Sequence, residues 1–306
     1  MIEVQTQEWL YARLYHVNHS HGEYLLTSFL PAWADEGQRF GAERWFFIRY
    51  VDPSGPHIRV RFQGRPDVLD NCYTTGNRLW QEMKRPRVPA EQIMRLHPRA
   101  EPAAWGRGHH RLSFGLYGRE YHRYGASNSM ELAENLFQHS SEFSLQAITT
   151  TGPDRLQRAQ LAMNIMQGFT SSLSPTQQTR FWQFHWKYWT AALEDNPALM
   201  RQTERAAMHW RPILTERPTR SHPPDDALTT AATVFGRALA DGVRSALRTN
   251  ANLNAHQLLL MHLHMTLNRL GYLPLEEAVL GRIAASQAPH ITRPTGQADT
   301  THGRKL

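Results

Sequence analysis

Residues 45–62 read WFFIRYVDPSGPHIRVRF, and this stretch decides the fold. Asp52-Pro53-Ser54-Gly55-Pro56 carries turn chemistry, because proline presets φ and glycine admits the left-handed conformation. Aromatic and β-branched residues on either side predict two strands joined as a hairpin. Strand side chains alternate, so Ile58, Val60 and Phe62 share one face while His57, Arg59 and Arg61 share the other. Residues 111–121 divide in the same way, with Leu112, Phe114 and Leu116 against Arg111, Ser113, Tyr117, Arg119 and Tyr121. One such strand would commonly be a solvated outer face. Two with the same split predict a sheet with an apolar face on a core and a basic, aromatic face suited to an anionic or planar ligand.

Outward from the hairpin, residues 9–17 read as a first strand and residues 23–35 as a helix. Residues 65–84 read as a second helix, with Pro66 near its start and Val68, Leu69, Cys72, Leu79 and Met83 on its buried side. The order strand, helix, strand, strand, helix, strand is the split βαβ (ferredoxin-like) arrangement of an α+β protein. It places both helices on one face of an antiparallel sheet and leaves the basic face free. From Ser127 the chain reads as a multi-helix region, with helices over 155–168, 175–193, 197–209, 227–247 and 255–270. The expected organisation is a sheet portion over 1–126, a helical portion of the same domain over 127–286, and a disordered tail over 287–306.

Forty-one per cent hydrophobic residues and nine tryptophans can bury a sizeable core, and a net charge of +7 favours an anionic ligand or partner, nucleic acid included. Cys72 is the single cysteine, so no disulfide framework or cysteine-rich zinc site is available within the chain. No signal-peptide pattern and no apolar run of membrane-spanning length occurs, so the sequence reads as cytoplasmic. The sequence has no P-loop, dinucleotide fingerprint, nucleophile elbow or zincin motif. His16, His19 and His21, or His109 with His110, could approach a metal, but neither set has a carboxylate or cysteine companion, and the expectation is no metal and no cofactor. The aromatic run 181–189, FWQFHWKYW, reads mostly as core. Residues 258–270, LLLMHLHMTLNRL, are apolar nearly all round and should be buried. His264 and Asn268 lie one turn apart on that helix, and a buried polar pair is costly unless it is partnered.

Several stretches resemble, in order, one known family: Trp45-Phe46-Phe47-Ile48-Arg49-Tyr50, Pro56 through His57, Arg59 and Arg61 to Phe62, Tyr117 through Glu120 to Arg123-Tyr124-Gly125, and Leu263-His264-Met265 with Asn268-Arg269-Leu270. The resemblance is to the C-terminal elimination domain of LanB-type lanthipeptide dehydratases, which also occurs as a free-standing thiopeptide biosynthesis protein. It covers about residues 9–271. It implies a lyase subunit of a split dehydratase that removes glutamate from glutamylated Ser or Thr of a precursor peptide, leaving dehydroalanine or dehydrobutyrine. The implied partners are that peptide and a separate tRNA-dependent glutamylation subunit, with no direct contact to tRNA and no membrane. The family's elimination residues fall on Arg59 or Arg61, on Arg123 and on His264. Arg61 and Arg123 are then expected to hold the glutamyl group and His264 to move the proton, with Arg59, His57 and Tyr117 in support. Arginine suits carboxylates and developing negative charge, and histidine suits proton transfer near neutral pH. Two departures stand out: Ala126 replaces the second glycine after Arg123-Tyr124, and Ser140-Ser141-Glu142 replaces an Asp-Ser pattern ahead of an acid. A related branch, the thiopeptide pyridine synthases, uses the same fold for a formal cycloaddition between two dehydroalanines, so the alternatives are that cyclase or a non-catalytic peptide- or tRNA-binding subunit.

Overall fold

The computed structural model describes residues 7–83, 93–100, 108–215, 226–249 and 253–288. The tail expected beyond 288 and most of the proline-rich connection lie outside these residues. Four strands, β1 (Glu8–Tyr15), β2 (Arg44–Asp52), β3 (Gly55–Gly64) and β4 (Arg111–Gly115), form one antiparallel sheet in the order β2-β3-β1-β4. Gly55, at φ 111°, closes the hairpin where the sequence places its turn. The fold is α+β and mostly helical.

The apolar face of the sheet is covered by α1 (His19–Tyr24), a π turn over Leu25–Phe29, α2 (Leu30–Arg39) and α3 (Pro66–Glu82). Trp33 is fully buried here against Phe62, and its indole N–H donates to the Cys72 carbonyl at 2.8 Å. A Cβ at Gly76 would lie 2.6 Å from the Trp33 ring, so that close approach of α3 to α2 requires glycine.

The other half comprises α4 (Tyr121–Tyr124), α5 (Ser127–Thr151), α6 (Arg155–Thr170), α7 (Pro175–Thr190), α8 (Pro197–Thr215), α9 (Asp226–Thr249), α10 (Ala255–Leu270) and α11 (Pro274–Gln287). Most of the 181–189 aromatics do enter the core: Phe181, Trp182 and His185 are buried, while Tyr188 is exposed. The closest helix crossing is α6 on α9. A Cβ on Gly168 or on Gly236 would come within 2.2 Å of a backbone carbonyl of the facing helix, Thr233 or Ile165.

Three expectations are corrected. β4 stops at Gly115 rather than running to Tyr121; Leu116 is 95% exposed and Tyr121 opens α4. The last pair is Tyr11 with Gly115, and the Arg13 guanidinium lies 3.0 Å from where a Cβ at Gly115 would sit. The basic face is not left free: Phe46 belongs to the helical core and Arg61 is buried, because the helical half folds over that end of the sheet, while His57 is buried beside Tyr15 and Tyr50 of its own face. Finally, α11 has no counterpart in the reading above. It is buried on most sides, two glutamates included, so no amphipathic period announces it.

The outer edge of β2 meets side chains instead of a fifth strand. Asn268 accepts from Arg49 N–H at 2.9 Å and donates to Arg49 C=O at 3.1 Å. Ser141 Oγ accepts from Phe47 N–H, and Arg269 Nε donates to Phe47 C=O at 2.7 Å. Two helices thus satisfy a strand edge that would otherwise invite another chain.

Candidate functional site

The register sets the basic face in rows. Tyr50, His57, Tyr15 and Arg111 form one row; Ile48, Arg59, Arg13 and Ser113 the next; Phe46, Arg61, Tyr11 and Gly115 the third. Arg13 and Tyr11 were absent from the sequence-derived set. Their signal was the alternation of Trp9, Tyr11, Arg13 and Tyr15 within the first strand.

Arg61 is 6% exposed inside an aromatic cage, its guanidinium carbon 5.0 Å from the Tyr117 ring centre and 5.2 Å from those of Tyr11 and Phe46. Its Nε and Nη1 have no hydrogen-bond partner among the described residues. The same holds for Arg269 Nη2 and the Tyr124 hydroxyl. Arg61, Arg269 and Tyr124 line one cleft of about 30 Å³ with Glu120, Tyr117 and Phe137. Burial lowers the pKa of Arg269 to about 9, and Arg61 pushes the same way against the opposing pull of Tyr124. Burial also raises the Tyr117 and Tyr124 phenols, so both stay protonated at neutral pH. Arg123 is exposed on α4 and pairs with Glu120 at 3.3 Å. Glu120 lines the cleft, so Arg123 connects to this cluster through that ion pair.

Arg59 lies over the Tyr50 ring, its guanidinium carbon 3.3 Å from the ring centre. Its Nε donates to His57 Nε2 at 3.2 Å, while His57 Nδ1 donates to the Gly55 carbonyl at 3.0 Å. Burial therefore holds His57 below its ordinary pKa as a neutral acceptor.

His264 opens into a larger pocket of about 540 Å³, lined among others by His16, His19, Arg49, Tyr50, Arg95 and Asn268. Its Nδ1 lies 2.8 Å from Glu277 Oε1, and the Trp189 ring centre is 4.8 Å from the imidazole. The pocket's arginines are ion-paired, Arg49 with Glu23 at 2.6 Å and Arg95 with Glu276 at 3.4 Å. Burial, followed by the charge of Arg49, drives His16 and His19 down to about 3, so both imidazoles are neutral. The structure thus places Arg61 and Tyr117 in one cleft, leaves Arg123 outside that lining but paired with the cleft residue Glu120, and sets His264 at another opening. Ile48 of the first and Tyr50 of the second are alternate residues on one face of β2, about 7 Å apart along the strand. No cluster of three metal-ligating side chains exists among the described residues.

A profile of the lantibiotic biosynthesis dehydratase C-terminal family matches residues 9–288. The chain belongs to this family. Two curated members align with part of this dehydratase domain: subtilin biosynthesis protein SpaB of Bacillus subtilis, 26% identical over 46% of this chain and 12% of its own length, and nisin biosynthesis protein NisB of Lactococcus lactis subsp. lactis, 29% identical over 42% and 11%. The domain therefore matches only about a tenth of those relatives' length. Among solved structures, the tRNA-dependent lantibiotic dehydratase MibB from Microbispora sp. 107891 superposes with a TM-score of 0.59 at 21% identity, over 94% of this chain and 28% of MibB. The pyridine synthase TbtD from thiomuracin biosynthesis superposes with a TM-score of 0.62 at 15% identity, over 92% and 97%. TsrL gives 0.57 at 15%, over 92% and 94%. At these identities the superpositions establish a shared fold. No helix among the described residues is long and apolar enough to cross a membrane.

Proposed function

We propose that this dehydratase domain, on a split βαβ (ferredoxin-like) sheet, is a carbon–oxygen lyase that eliminates glutamate from glutamylated Ser or Thr of a precursor peptide. A separate subunit would supply the glutamyl ester. The observation that carries the reading is the cleft where two buried guanidinium groups, Arg61 and Arg269, present N–H donors with no partner among the described residues. Glu120 lines the same cleft but is paired with Arg123, so these donors stay unused, and an incoming carboxylate is the ligand that would use them. A volume of about 30 Å³ suits a carboxylate end and little more.

In this reading Arg61, with Arg269 behind it and Arg123 at the rim, takes the carboxylate of the glutamyl group. Arg59, His57 and Tyr117 shape the face along which the peptide lies. His264 is the base. Its ring nitrogen removes the α-proton, the C–H electron pair becomes the Cα=Cβ bond, and the Cβ–O pair leaves with glutamate. No redox partner enters that balance.

A second reading has its own support. The 540 Å³ pocket around His264 is bounded by neutral imidazoles and ion-paired arginines, which suits a large uncharged ligand such as the two dehydroalanines joined by a pyridine synthase. The test uses the purified chain and a peptide carrying glutamylated Ser, followed by mass spectrometry without partner subunit or tRNA. Loss of glutamate to give dehydroalanine, abolished by Arg61→Gln, is the expected result. An unchanged ester, together with ring closure on a peptide already bearing dehydroalanines, would replace the first reading by the second.

A further inference from the structure

Two glutamates stand side by side at the start of α11, both fully buried. Glu276 is saturated: it accepts from the Leu96 and Leu273 backbone N–H groups and pairs with Arg95 and Arg155. Glu277 has no arginine partner among the described residues. Its Oε1 meets His264 Nδ1 at 2.8 Å, and its Oε2 has no partner among the described residues. A buried carboxylate kept for structure is expected to be saturated, as Glu276 is. One that serves a single imidazole, itself opening into a pocket, does something else.

We infer that Glu277 is a positioning residue, fixing which nitrogen of His264 carries the proton and holding the other nitrogen as a base toward the large pocket. The inference rests on the assignment of proton transfer to His264. A carboxylate can only accept, so the proton sits on Nδ1 and the Nε2 lone pair is left for chemistry. The Trp189 ring packs against the imidazole and restricts its rotation. When Nε2 takes a proton, the imidazolium faces a carboxylate already in place, and nothing need reorganise.

The other groups around this pair do not compete. His185 on α7 is driven down to about 3 by burial and is neutral. Glu276 is engaged with its arginines, and across the pocket His16 and His19 are neutral while Arg49 and Arg95 are ion-paired. Burial raises the Glu277 pKa and His264 opposes that rise. The backbone N–H groups of the first turn of α11 favour its anionic form.

The test compares the full chain with Glu277→Gln and Glu277→Asp. Long-range nitrogen–proton NMR of the histidine rings reads the tautomer without any substrate. In the unmodified protein His264 should carry its proton on Nδ1. In Glu277→Gln that preference should weaken. Glutamate elimination should fall about 100-fold in kcat with KM little changed, and Glu277→Asp should recover part of the loss. A His264 proton on Nε2 in the unmodified protein would overturn the inference even if Glu277→Gln failed to fold. So would an unaltered tautomer in a folded Glu277→Gln. If the tautomer result holds but no glutamate is lost from the ester, the lyase reading fails and the pairing stands.

Discussion

Replacing Glu23 with glutamine tests the ionic seam between the sheet half and the helical half. The Glu23 carboxylate bridges Arg49 on β2 at 2.6 Å and Arg158 on α6 at 3.0 Å. Arg158 also donates to the carbonyls of Gly152 and Leu270, so one acid gathers the ends of α5 and α10 around β2. Burial alone would raise the Glu23 pKa, but the guanidinium groups of Arg49 and Arg158 overcome it and hold the carboxyl at about 2. The gap from the ordinary 4.5 is worth about 3 kcal/mol at 1.36 kcal/mol per pH unit. That agrees with the roughly 3–5 kcal/mol cost of breaking a buried pair. The folded-state pKa is depressed, so this stability is complete above about pH 4.5 and is lost as pH falls toward 2. Urea unfolding at pH 7 should show Glu23→Gln less stable by about 3 kcal/mol, and the difference should narrow to about 2 kcal/mol at pH 3.5. A difference under about 1 kcal/mol at pH 7, or one that does not change with pH, would refute the argument that these cations hold the charge of Glu23.

His16, His19, His185 and His262 are each driven by burial to about 3, so the unfolded chain takes up protons that the folded chain refuses. Stability should therefore fall by about 5 kcal/mol per pH unit as pH drops from 6 to 4, and His185→Leu, whose ring nitrogens have no partner among the described residues, should remove about a quarter of that slope in calorimetry. Gly236→Ala should destabilise by about 1–3 kcal/mol in urea, because the new methyl meets the Ile165 carbonyl; a gain of about 1 kcal/mol, the usual result in an open helix, would mean that α9 is free to move. Asn268→Ala leaves both Arg49 backbone groups unpaired and should cost about 2–3 kcal/mol, with faster hydrogen exchange at the Arg49 amide; an unchanged exchange rate there would show that the strand edge does not depend on this side chain.

What could be read from the sequence divides by the range of the interactions involved. The hairpin, the two-faced strands and the long helices depend on alternation, turn residues and helical period, and they were legible. So was the oddity of His264, since a histidine in an apolar helix needs a partner. The partner was not legible. Glu277 lies 13 residues on, in a helix whose apolar surface has no period; the one local signal was Pro274 followed by Glu276 and Glu277, a helix start. The shortened β4 was misread because Leu116 continues the alternation while Gly115 ends the pairing. Arg269 was quoted for its resemblance alone, and its place beside Arg61 comes from the docking of α10 on β2, which no single stretch encodes.

Asn268 takes the place of a neighbouring strand along the edge of β2, and His264 sits one turn away on the same helix. The distance between α10 and the sheet is thereby set by a two-point bond from the Asn268 side-chain amide to the Arg49 backbone. A rotation of α10 large enough to reshape the pocket would break both bonds at once. Under the proposed lyase reading, the floor beneath His264 is pinned to the sheet, and peptides of different bulk would be sorted at the rim, by Tyr50, Pro56, Leu273 and Pro274. Changing which peptide such an enzyme accepts would then be a matter of trimming the mouth, with the seat of His264 left untouched.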